Sequence, residues 1–470
     1  KCWLNNSSTS FTGVISGAGA LTKSGSGTLT LSGTNTYTGA TSITAGKIAI
    51  SNATGLGTTD GATTVASGAA LSISGGITVA EPITISGTGI SSGGAIVFTA
   101  NDNTYSGAIT LGSTSTIVST GGAQTISGAV NGGQALTITA NGNLTISGAI
   151  GGGTNLSSYA VTTTGSASQT FSANVETTGN QTYTAAGGIV TSGAITFDSS
   201  SGTVNFASAL SGDNNVTVTG NADIDGAVTS IAVLSVSGTS NIGADITTSG
   251  TQTYTGAVTL SANVTLTSSG DVITFSNTVN SADSTKRNLT ITTGGSSVEI
   301  NFDGIVGGSN SLGAIAITGV LDLNAAITNA TSLSVSGASN VGADVTTTST
   351  QLYVGNLVLS AADRTLEGST VTTRGTITGA YALTVTGNAV FGNSSGDDVV
   401  LTGTNKALAV SGTTTIETDT VTTSGTQTYS GAVVLGIDTT LTSSGDVITF
   451  SNTVNSDGST NRNLTVTTGG

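Results

Sequence analysis

The sequence predicts an all-β protein built as a parallel β-helix, or β-solenoid, which we expect to be right-handed and to form an elongated rod. Three observations lead to this fold class. Short segments alternate apolar and hydroxyl side chains between Ser-Gly, Thr-Gly or Asn-Gly pairs. Glycine supplies 69 of the 470 residues, yet the mean hydropathy is positive at +0.25. Long stretches of the chain are also repeated within it.

The alternating segments predict strands of about five residues. In a Leu-Thr-Val-Thr segment, Leu and Val point to one face and Thr to the other, which is the period of a half-buried strand. Strong helix formers are scarce, and no apolar stripe has helical spacing. The single proline, Pro82, suits extended sheets, because proline removes a donor from a strand ladder. The clearest segments end at Gly33, Gly75, Gly148, Gly220 and Gly387.

The internal repeats are duplications of whole modules. Residues 247–295 and 422–470 align without a gap at an offset of 175, and residues 234–254 return as 333–353. Phe275 and Phe450 occupy equivalent positions, so both are predicted to point inward.

A shorter motif, Gln-x-Tyr, recurs at unequal intervals and ends at Tyr183, Tyr254, Tyr353 and Tyr429. If one turn takes roughly 20 to 25 residues, these intervals correspond to three to five turns each. No constant short period fits all of them, so the turns must differ in length.

A row of β-sandwich domains of about 100 residues each is the alternative architecture. Such domains need aromatic-rich cores and separate linkers, whereas aromatic residues make up 4% of this chain and its composition has no break. In a solenoid, turns stack about 4.8 Å apart, so small β-branched side chains can form ladders of like residues. The composition therefore favours the solenoid.

The composition also excludes most kinds of catalytic and metal-binding site. The chain has no His and one Cys, Cys2, which rules out imidazole catalysis, His ligands and an internal disulfide. The formal charge of -15 argues against nucleic acid or anionic lipid as a partner. No apolar run is long enough for a transmembrane helix. Because the chain also has no Met, we expect a removed leader or an internal piece of a longer protein.

A regular pattern of Gly, Leu and polar residues lies between residues 17 and 48. It resembles the autotransporter-associated β-strand repeat, a right-handed β-helix module of bacterial surface proteins, and Trp3 with residues 11–17 resembles the end of a preceding copy. The resemblance implies secretion, a solenoid shaft and an adhesive or scaffolding role. The matching positions are Leu21, Lys23, Gly25, Gly27, Leu29, Leu31, Gly33, Asn35, Tyr37, Gly39 and Gly46.

Two regions are predicted within one continuous solenoid. Residues 1–160 carry the autotransporter-associated type of repeat. Residues 161–470 carry the Gln-x-Tyr modules and resemble repeats of filamentous haemagglutinin-like adhesins, which are giant bacterial exoproteins. The last module stops in mid-copy, so we expect the array to continue beyond residue 470.

Tyrosine is the first candidate functional residue type. Six of the eight tyrosines follow Asn or Gln by two residues, and they could form a row of exposed rings for sugar stacking. The favoured interpretation is that each ring packs at a corner of its turn, because a position fixed within a module is what packing produces. The six are Tyr37, Tyr105, Tyr183, Tyr254, Tyr353 and Tyr429.

Carboxylates are the second candidate type, because parallel β-helices also host pectin-cleaving enzymes. Asp397 and Asp398 are adjacent, but the chain offers no His and only Lys406 near them in sequence. Asp223 and Asp225 form the other close pair, a fragment of a calcium-loop pattern, and calcium is the only metal that the side chains suit. We expect turn positions for all four, with no catalytic, cofactor or metal residues.

The predicted function is a structural or adhesive repeat segment of a large secreted or cell-surface bacterial protein, without enzymatic activity and without a cofactor, calcium being the one possible exception. The alternatives are a subunit of a self-assembling extracellular filament or surface layer and, in a second class, a carbohydrate-active β-helix enzyme. The predicted partners are neighbouring turns or subunits of the same protein and a host, neighbouring-cell or polysaccharide surface. Solenoid ends have unpaired backbone groups, so we expect both ends to be covered by further turns or by an adjacent subunit.

Overall fold

The computed structural model describes residues 6–295, 297–458 and 460–469. The prediction of an all-β solenoid is confirmed: strands pair in parallel with strands of the next turn, and the described residues contain no α-helix. Cys2 and Trp3 lie outside the described residues. The chain forms two compact units, Lys1–Gly238 and Thr239–Gly470.

The described residues of unit 1 form 26 strands and one 3₁₀ turn, Ile90–Ser92. The strands are β1 (Thr9–Phe11), β2 (Leu21–Lys23), β3 (Thr28–Leu31), β4 (Thr41–Ile43), β5 (Lys47–Ile50), β6 (Thr63–Val65), β7 (Ala70–Ile73), β8 (Thr78–Val79), β9 (Ile83–Gly87), β10 (Ile96–Phe98), β11 (Thr104–Tyr105), β12 (Ile109–Ser119), β13 (Gln124–Ile126), β14 (Val130–Asn131), β15 (Ala135–Ala140), β16 (Leu144–Ile146), β17 (Ser158–Thr163), β18 (Gln169–Phe171), β19 (Val175–Thr177), β20 (Gln181–Ala185), β21 (Ile189–Thr191), β22 (Ile195–Phe206), β23 (Leu210–Ser211), β24 (Val216–Ile224), β25 (Val228–Ile231) and β26 (Leu234–Val236).

Three ladders of parallel strands make up unit 1. The first runs β1-β3-β5-β7-β10-β12-β15-β17-β20-β22-β24. The second runs β2-β4-β6-β9-β12-β14, continues through a single bridge at Ile150, and then runs β19-β22-β24-β26. The third runs β8-β11-β13-β16-β18-β21-β23-β25. Where all three ladders are present, each turn of the solenoid therefore contributes one segment to each ladder.

In unit 2, 29 strands lie within the part that the structure describes. They are β27 (Ser240–Ile242), β28 (Ile246–Thr248), β29 (Gln252–Tyr254), β30 (Val258–Leu260), β31 (Val264–Ser268), β32 (Ile273–Phe275), β33 (Val279–Ser281), β34 (Arg287–Thr293), β35 (Glu299–Phe302), β36 (Leu312–Thr318), β37 (Val320–Leu323), β38 (Ile327–Val335), β39 (Ser339–Val341), β40 (Val345–Thr347), β41 (Thr350–Tyr353), β42 (Leu357–Leu359), β43 (Arg364–Thr373), β44 (Ile377–Gly379), β45 (Leu383–Phe391), β46 (Val399–Leu401), β47 (Leu408–Val410), β48 (Thr414–Ile416), β49 (Thr420–Thr423), β50 (Gln427–Tyr429), β51 (Val433–Leu435), β52 (Thr439–Ser443), β53 (Ile448–Phe450), β54 (Val454–Ser456) and β55 (Leu464–Thr468).

Unit 2 repeats the arrangement of three parallel ladders. One runs β27-β30-β33, continues through a bridge at Val306, and then runs β38-β40-β43-β45-β47-β50-β53. Another runs β28-β31-β34-β36-β38-β41-β43-β45-β48-β51-β54. The third runs β29-β32-β35-β37-β39-β42-β44-β46-β49-β52-β55.

The predicted alternation of faces is present along the strands. In β16, Leu144 and Ile146 are buried and Thr145 lies between them on the outer face. Most inward positions are filled by Leu, Ile and Val, with aromatic rings that contact one another between turns, so the interior of each unit is mainly apolar. Turns differ in length, as predicted: Val216 pairs with Leu234 in the next turn, whereas the longer turn that begins at Ile273 returns at Ile300.

Two glycines predicted to end strands lie inside them instead. Gly220 is within β24 and Gly387 within β45, with φ of 108° and 127°. Because glycine alone adopts this backbone conformation without strain, each strand turns a corner there and passes from one ladder to the next. Gly33, Gly75 and Gly148 follow their strands as predicted.

The equivalent phenylalanines differ in burial. Phe275 is fully buried and stacks between Tyr254 and Phe302, with ring centroids 5.4 and 5.0 Å away. Phe450 stacks on Tyr429 at 5.4 Å but is partly exposed. Both rings stack on a buried tyrosine, which agrees with the predicted inward orientation. Their burial differs because, among the described residues, β53 pairs with β50 alone whereas β32 lies between β29 and β35.

Candidate functional site

The polar side chains between residues 21 and 50 are used to connect successive turns. Asn35 is 1% exposed, and its Oδ1 accepts a hydrogen bond from the backbone N–H of Ile15 at 2.8 Å. Its Nδ2 donates to the carbonyl oxygen of Gly55, also at 2.8 Å. One amide side chain therefore connects three successive turns.

Lys23 is buried as well, which is unusual for a lysine. Its Nζ donates to the carbonyl oxygens of Ser24, Gly25 and Ala45 at 3.0, 2.6 and 3.2 Å. Burial lowers the pKa of this ammonium group from its ordinary value. The three carbonyl groups satisfy all three donors, so Lys23 holds a corner of one turn against the next.

The glycines of this segment allow close stacking of the backbone. A Cβ atom at Gly33 would lie 2.0 Å from the carbonyl oxygen of Gly13, a distance that no side chain can occupy. The segment therefore requires glycine there because adjacent turns touch through their backbones.

The six candidate tyrosines are all buried, with exposed fractions of 0 or 1%. The hydroxyl group of Tyr37 bonds to Oγ1 of Thr41 at 2.6 Å, and that of Tyr105 donates to the backbone oxygen of Glu81 at 2.7 Å. Burial raises the pKa of Tyr37 to about 12. In unit 2, Tyr254, Tyr353 and Tyr429 belong to three different ladders, so they form no row. The packing interpretation of the tyrosines agrees with this geometry.

Each Gln-x-Tyr motif forms a buried hydrogen-bonded group, which we name the Gln-Tyr clamp after its two side chains. In unit 1, the hydroxyl group of Tyr183 donates to Oε1 of Gln181 at 2.7 Å. Nε2 of Gln181 then donates to the carbonyl oxygen of Val175 at 3.1 Å, to Oγ1 of Thr177 at 3.2 Å and to the carbonyl oxygen of Asp198 at 2.6 Å. The clamp thus joins β20 to the preceding strand β19 and to β22 of the next turn.

The clamps of unit 2 have the same construction. Tyr254, Tyr353 and Tyr429 donate to the glutamine two residues earlier, each at 3.0 Å. Each glutamine donates to a carbonyl oxygen six residues earlier and to one in the next turn. The role of glutamine was missed at the sequence level. A detectable signal was available, since a Thr lies four residues before the Gln in all four copies.

Gln169 shows what happens when the tyrosine is replaced. Its Nε2 donates to the carbonyl oxygen of Val161, eight residues earlier rather than six, and to that of Thr184 in the next turn, but the residue two positions later is Phe171. Oε1 of Gln169 is buried and has no hydrogen-bond partner among the described residues. The donor half of the clamp therefore forms without the tyrosine, while the acceptor half depends on its hydroxyl group.

Tyr381 differs from the buried tyrosines because its side chain is partly exposed. The Nζ of Lys406 lies 5.6 Å from its ring centroid and 2.9 Å from Oδ1 of Asp363. Lys406 is the one basic residue near Asp397 and Asp398 in sequence, and the structure pairs it with Asp363 instead.

The structure brings a third carboxylate to the adjacent aspartates. Asp398 accepts a hydrogen bond from Oγ1 of Thr418 at 3.2 Å and lies against the side chain of Asp419 in the next turn. Partial burial is the main cause that raises the pKa of Asp398, and the neighbouring side chain of Asp419 raises it further. Asp397 instead accepts hydrogen bonds from the backbone N–H of Asn393 and the hydroxyl group of Ser394, so it closes its own loop.

Asp223 and Asp225 are joined through one amide. Nδ2 of Asn205 donates to Oδ2 of Asp223 at 2.6 Å and to Oδ2 of Asp225 at 3.4 Å. Within the described part of the chain, no group of three or more Asp, Glu, Cys or His side chains is arranged to hold a metal ion.

The described residues include no helix that is long and apolar enough to cross a membrane. Residues 21–50 match the family described as the passenger-associated-transport-repeat. No curated protein and no solved structure matches the chain. The family match and the stacked parallel turns together fit a repeat of an autotransporter passenger, and this repeat family implies a secreted or cell-surface protein.

Proposed function

We propose that the chain is a non-catalytic repeat segment of a large exported bacterial protein and serves as a stiff spacer that presents or connects other parts at the cell surface. The observation that supports this role is the use of the repeat's polar residues. Asn35, Lys23 and Gln181 all bond turn to turn inside the solenoid. Side chains fully engaged in joining turns favour a mechanical role over a binding one.

The mechanical role follows from how the turns are joined. Each turn forms parallel ladder hydrogen bonds with its neighbours on three sides, and the Gln-Tyr clamps add bonds at the corners. Stability in such a protein is approximately a sum of terms between neighbouring repeats, so the array resists bending while opening locally. An adhesive role at a host, neighbouring-cell or polysaccharide surface would belong to other parts of the polypeptide or to the outer faces of these turns.

Single-molecule pulling on the full chain tests the proposal. With handles at the two ends, we expect resistance followed by steps whose length corresponds to the release of one or a few turns. Gln181→Leu should lower the force of the steps around β19–β22, and Gln134→Leu, at an exposed position, should not. Extension at low force without steps would contradict a stiff spacer.

Location is tested on intact cells. Brief protease treatment of cells that produce the native protein should release fragments of these repeats into the medium if the segment is exported. Repeats that become cleavable only after cell lysis would contradict a surface role.

A further inference from the structure

Glu81 is a carboxylic acid inside unit 1. Its side chain is 3% exposed, and its Oε1 accepts a hydrogen bond from Oγ1 of Thr63 at 3.1 Å. Its second oxygen, Oε2, is buried and has no hydrogen-bond partner among the described residues. A buried carboxylate with one oxygen unsatisfied is costly, so the uncharged acid is the form that this interior favours.

Glu81 lies where several turns meet. The backbone N–H of Thr63 donates to the carbonyl oxygen of Pro82 at 2.9 Å, and the hydroxyl group of Tyr105, in the following turn, donates to the backbone oxygen of Glu81. The residue therefore connects the turns that contain β6, β8–β9 and β11.

The surrounding titratable groups are tyrosines. Tyr37, in the turn that leads into β4, and Tyr105, in β11, are both near enough for the charge of Glu81 to raise their pKa values further. Thr63, in β6, is uncharged, and no described Lys or Arg forms an ion pair with Glu81. Both tyrosines remain neutral through the physiological range, so Glu81 is the group whose charge changes there.

We propose that Glu81 is a pH-sensitive lock, whose neutral form keeps the turns from β4 to β11 closed and whose ionisation favours their local opening. Loss of the proton to solvent leaves a carboxylate that accepts a single hydrogen bond, from the hydroxyl group of Thr63. Water can reach Oε2 only if the adjacent turns separate, so opening is how the protein solvates the charge.

The direction of the pH dependence follows from linkage. Removal from water raises the pKa of Glu81 from 4.5 to about 7, and the Thr63 hydrogen bond opposes this only in part. The contribution of neutral Glu81 to the stability of the closed turns is complete below pH 4.5, declines as the pH rises, and is lost above pH 7. The equilibrium constant for local opening should rise by up to about two orders of magnitude, since one pH unit corresponds to a factor of ten. Partial hydration of the ionised form would reduce that factor.

Hydrogen exchange on the full chain tests the lock. Peptides that cover β4 to β11 are compared at pH 5, 7 and 9 after correction for intrinsic exchange rates, with unit 2 as the internal reference. We expect protection of these turns in the wild type to fall by tens of times from pH 5 to pH 9. Glu81→Gln, which has a neutral side chain of the same shape, should keep the same protection at each pH, and Glu176→Gln, at a half-exposed position on β19, should behave as the wild type.

A spectroscopic measurement on the wild type gives an independent test. The carbonyl stretch of a protonated carboxyl group should persist above the pH at which exposed acids ionise, should disappear near neutral pH, and should be missing from Glu81→Gln. Protection that is independent of pH in the wild type, or unchanged pH dependence in Glu81→Gln, would overturn the proposal. If Glu81→Gln does not fold, the absence of a band that titrates near neutral pH in the wild type would overturn it as well.

Discussion

Replacing Gln181 with leucine tests the Gln-Tyr clamp most directly. The substitution keeps a side chain of similar size but removes three donated hydrogen bonds and the acceptor for Tyr183. The carbonyl oxygen of Asp198 loses its 2.6 Å bond from the amide, and the hydroxyl group of Tyr183 is left buried without its partner. At about 1–3 kcal/mol for each unsatisfied buried group, Gln181→Leu should cost about 2–5 kcal/mol.

Tyr183→Phe should cost less, about 1–2 kcal/mol, because only Oε1 of Gln181 loses its partner. Gln169, followed by Phe171, shows that the fold accepts this arrangement. The cost of the double variant should be smaller than the sum of the two single costs. With leucine and phenylalanine together, neither a tyrosine hydroxyl group nor a glutamine oxygen is left without its partner.

Native-state hydrogen exchange of β19, β20 and β22 is the appropriate assay, because unfolding of a repeat protein need not be two-state. Gln134→Leu is the matched control, since Gln134 is exposed in the same unit. Equal protection in Gln181→Leu and Gln134→Leu would refute the clamp. An effect of Tyr183→Phe as large as that of Gln181→Leu would show that the energy lies in the hydrogen bond from the Tyr183 hydroxyl group rather than in the bonds that the amide donates.

Three further predictions test the packing of the turns. Phe275→Ala should destabilise its turn by about 3–5 kcal/mol and Phe450→Ala by clearly less, as judged by limited proteolysis near each site, because only the first ring is fully buried. Gly33→Ala should disrupt the turns that stack through this position, whereas Gly19→Ala, with no atom within 4 Å of the added Cβ, should leave the circular dichroism and melting temperature nearly unchanged. Asn35→Ala should cost about 1–3 kcal/mol in denaturant unfolding of unit 1, since it leaves the Ile15 N–H and the Gly55 carbonyl oxygen without their partner.

Local features of the fold could be predicted because they depend on neighbouring residues. Alternation of Leu or Ile with Thr placed β3 and β16 correctly, since a strand buries every second side chain wherever one face meets a core. Glycine was less informative. The sequence alone could not distinguish Gly33, which ends a strand, from Gly220, which bends one, because the difference lies in which turn is stacked beside it.

The candidate sites could not be predicted in the same way, because they depend on contacts between turns. Asp398 meets Asp419 of the next turn, and the adjacent Asp397 has different partners. The burial of Glu81 likewise depends on Thr63 and Tyr105, in the turns on either side. Neither contact can be recognised from the residues adjacent in sequence. If the length of a turn were predicted wrongly by one residue, the opposite face of the strand would be placed against the neighbouring turn.

By itself, then, the amino-acid sequence determined the class of structure: short strands, an apolar interior, hydroxyl-rich outer faces and stacked repeats without catalytic histidine. The tertiary structure decided the register between turns, and with it the use of Gln181, Asn35 and Lys23 as connections inside the solenoid. The physical reason is the difference in range. Side-chain alternation follows from the geometry of a single strand, whereas turns of unequal length acquire their register only when buried polar groups find partners in the next turn.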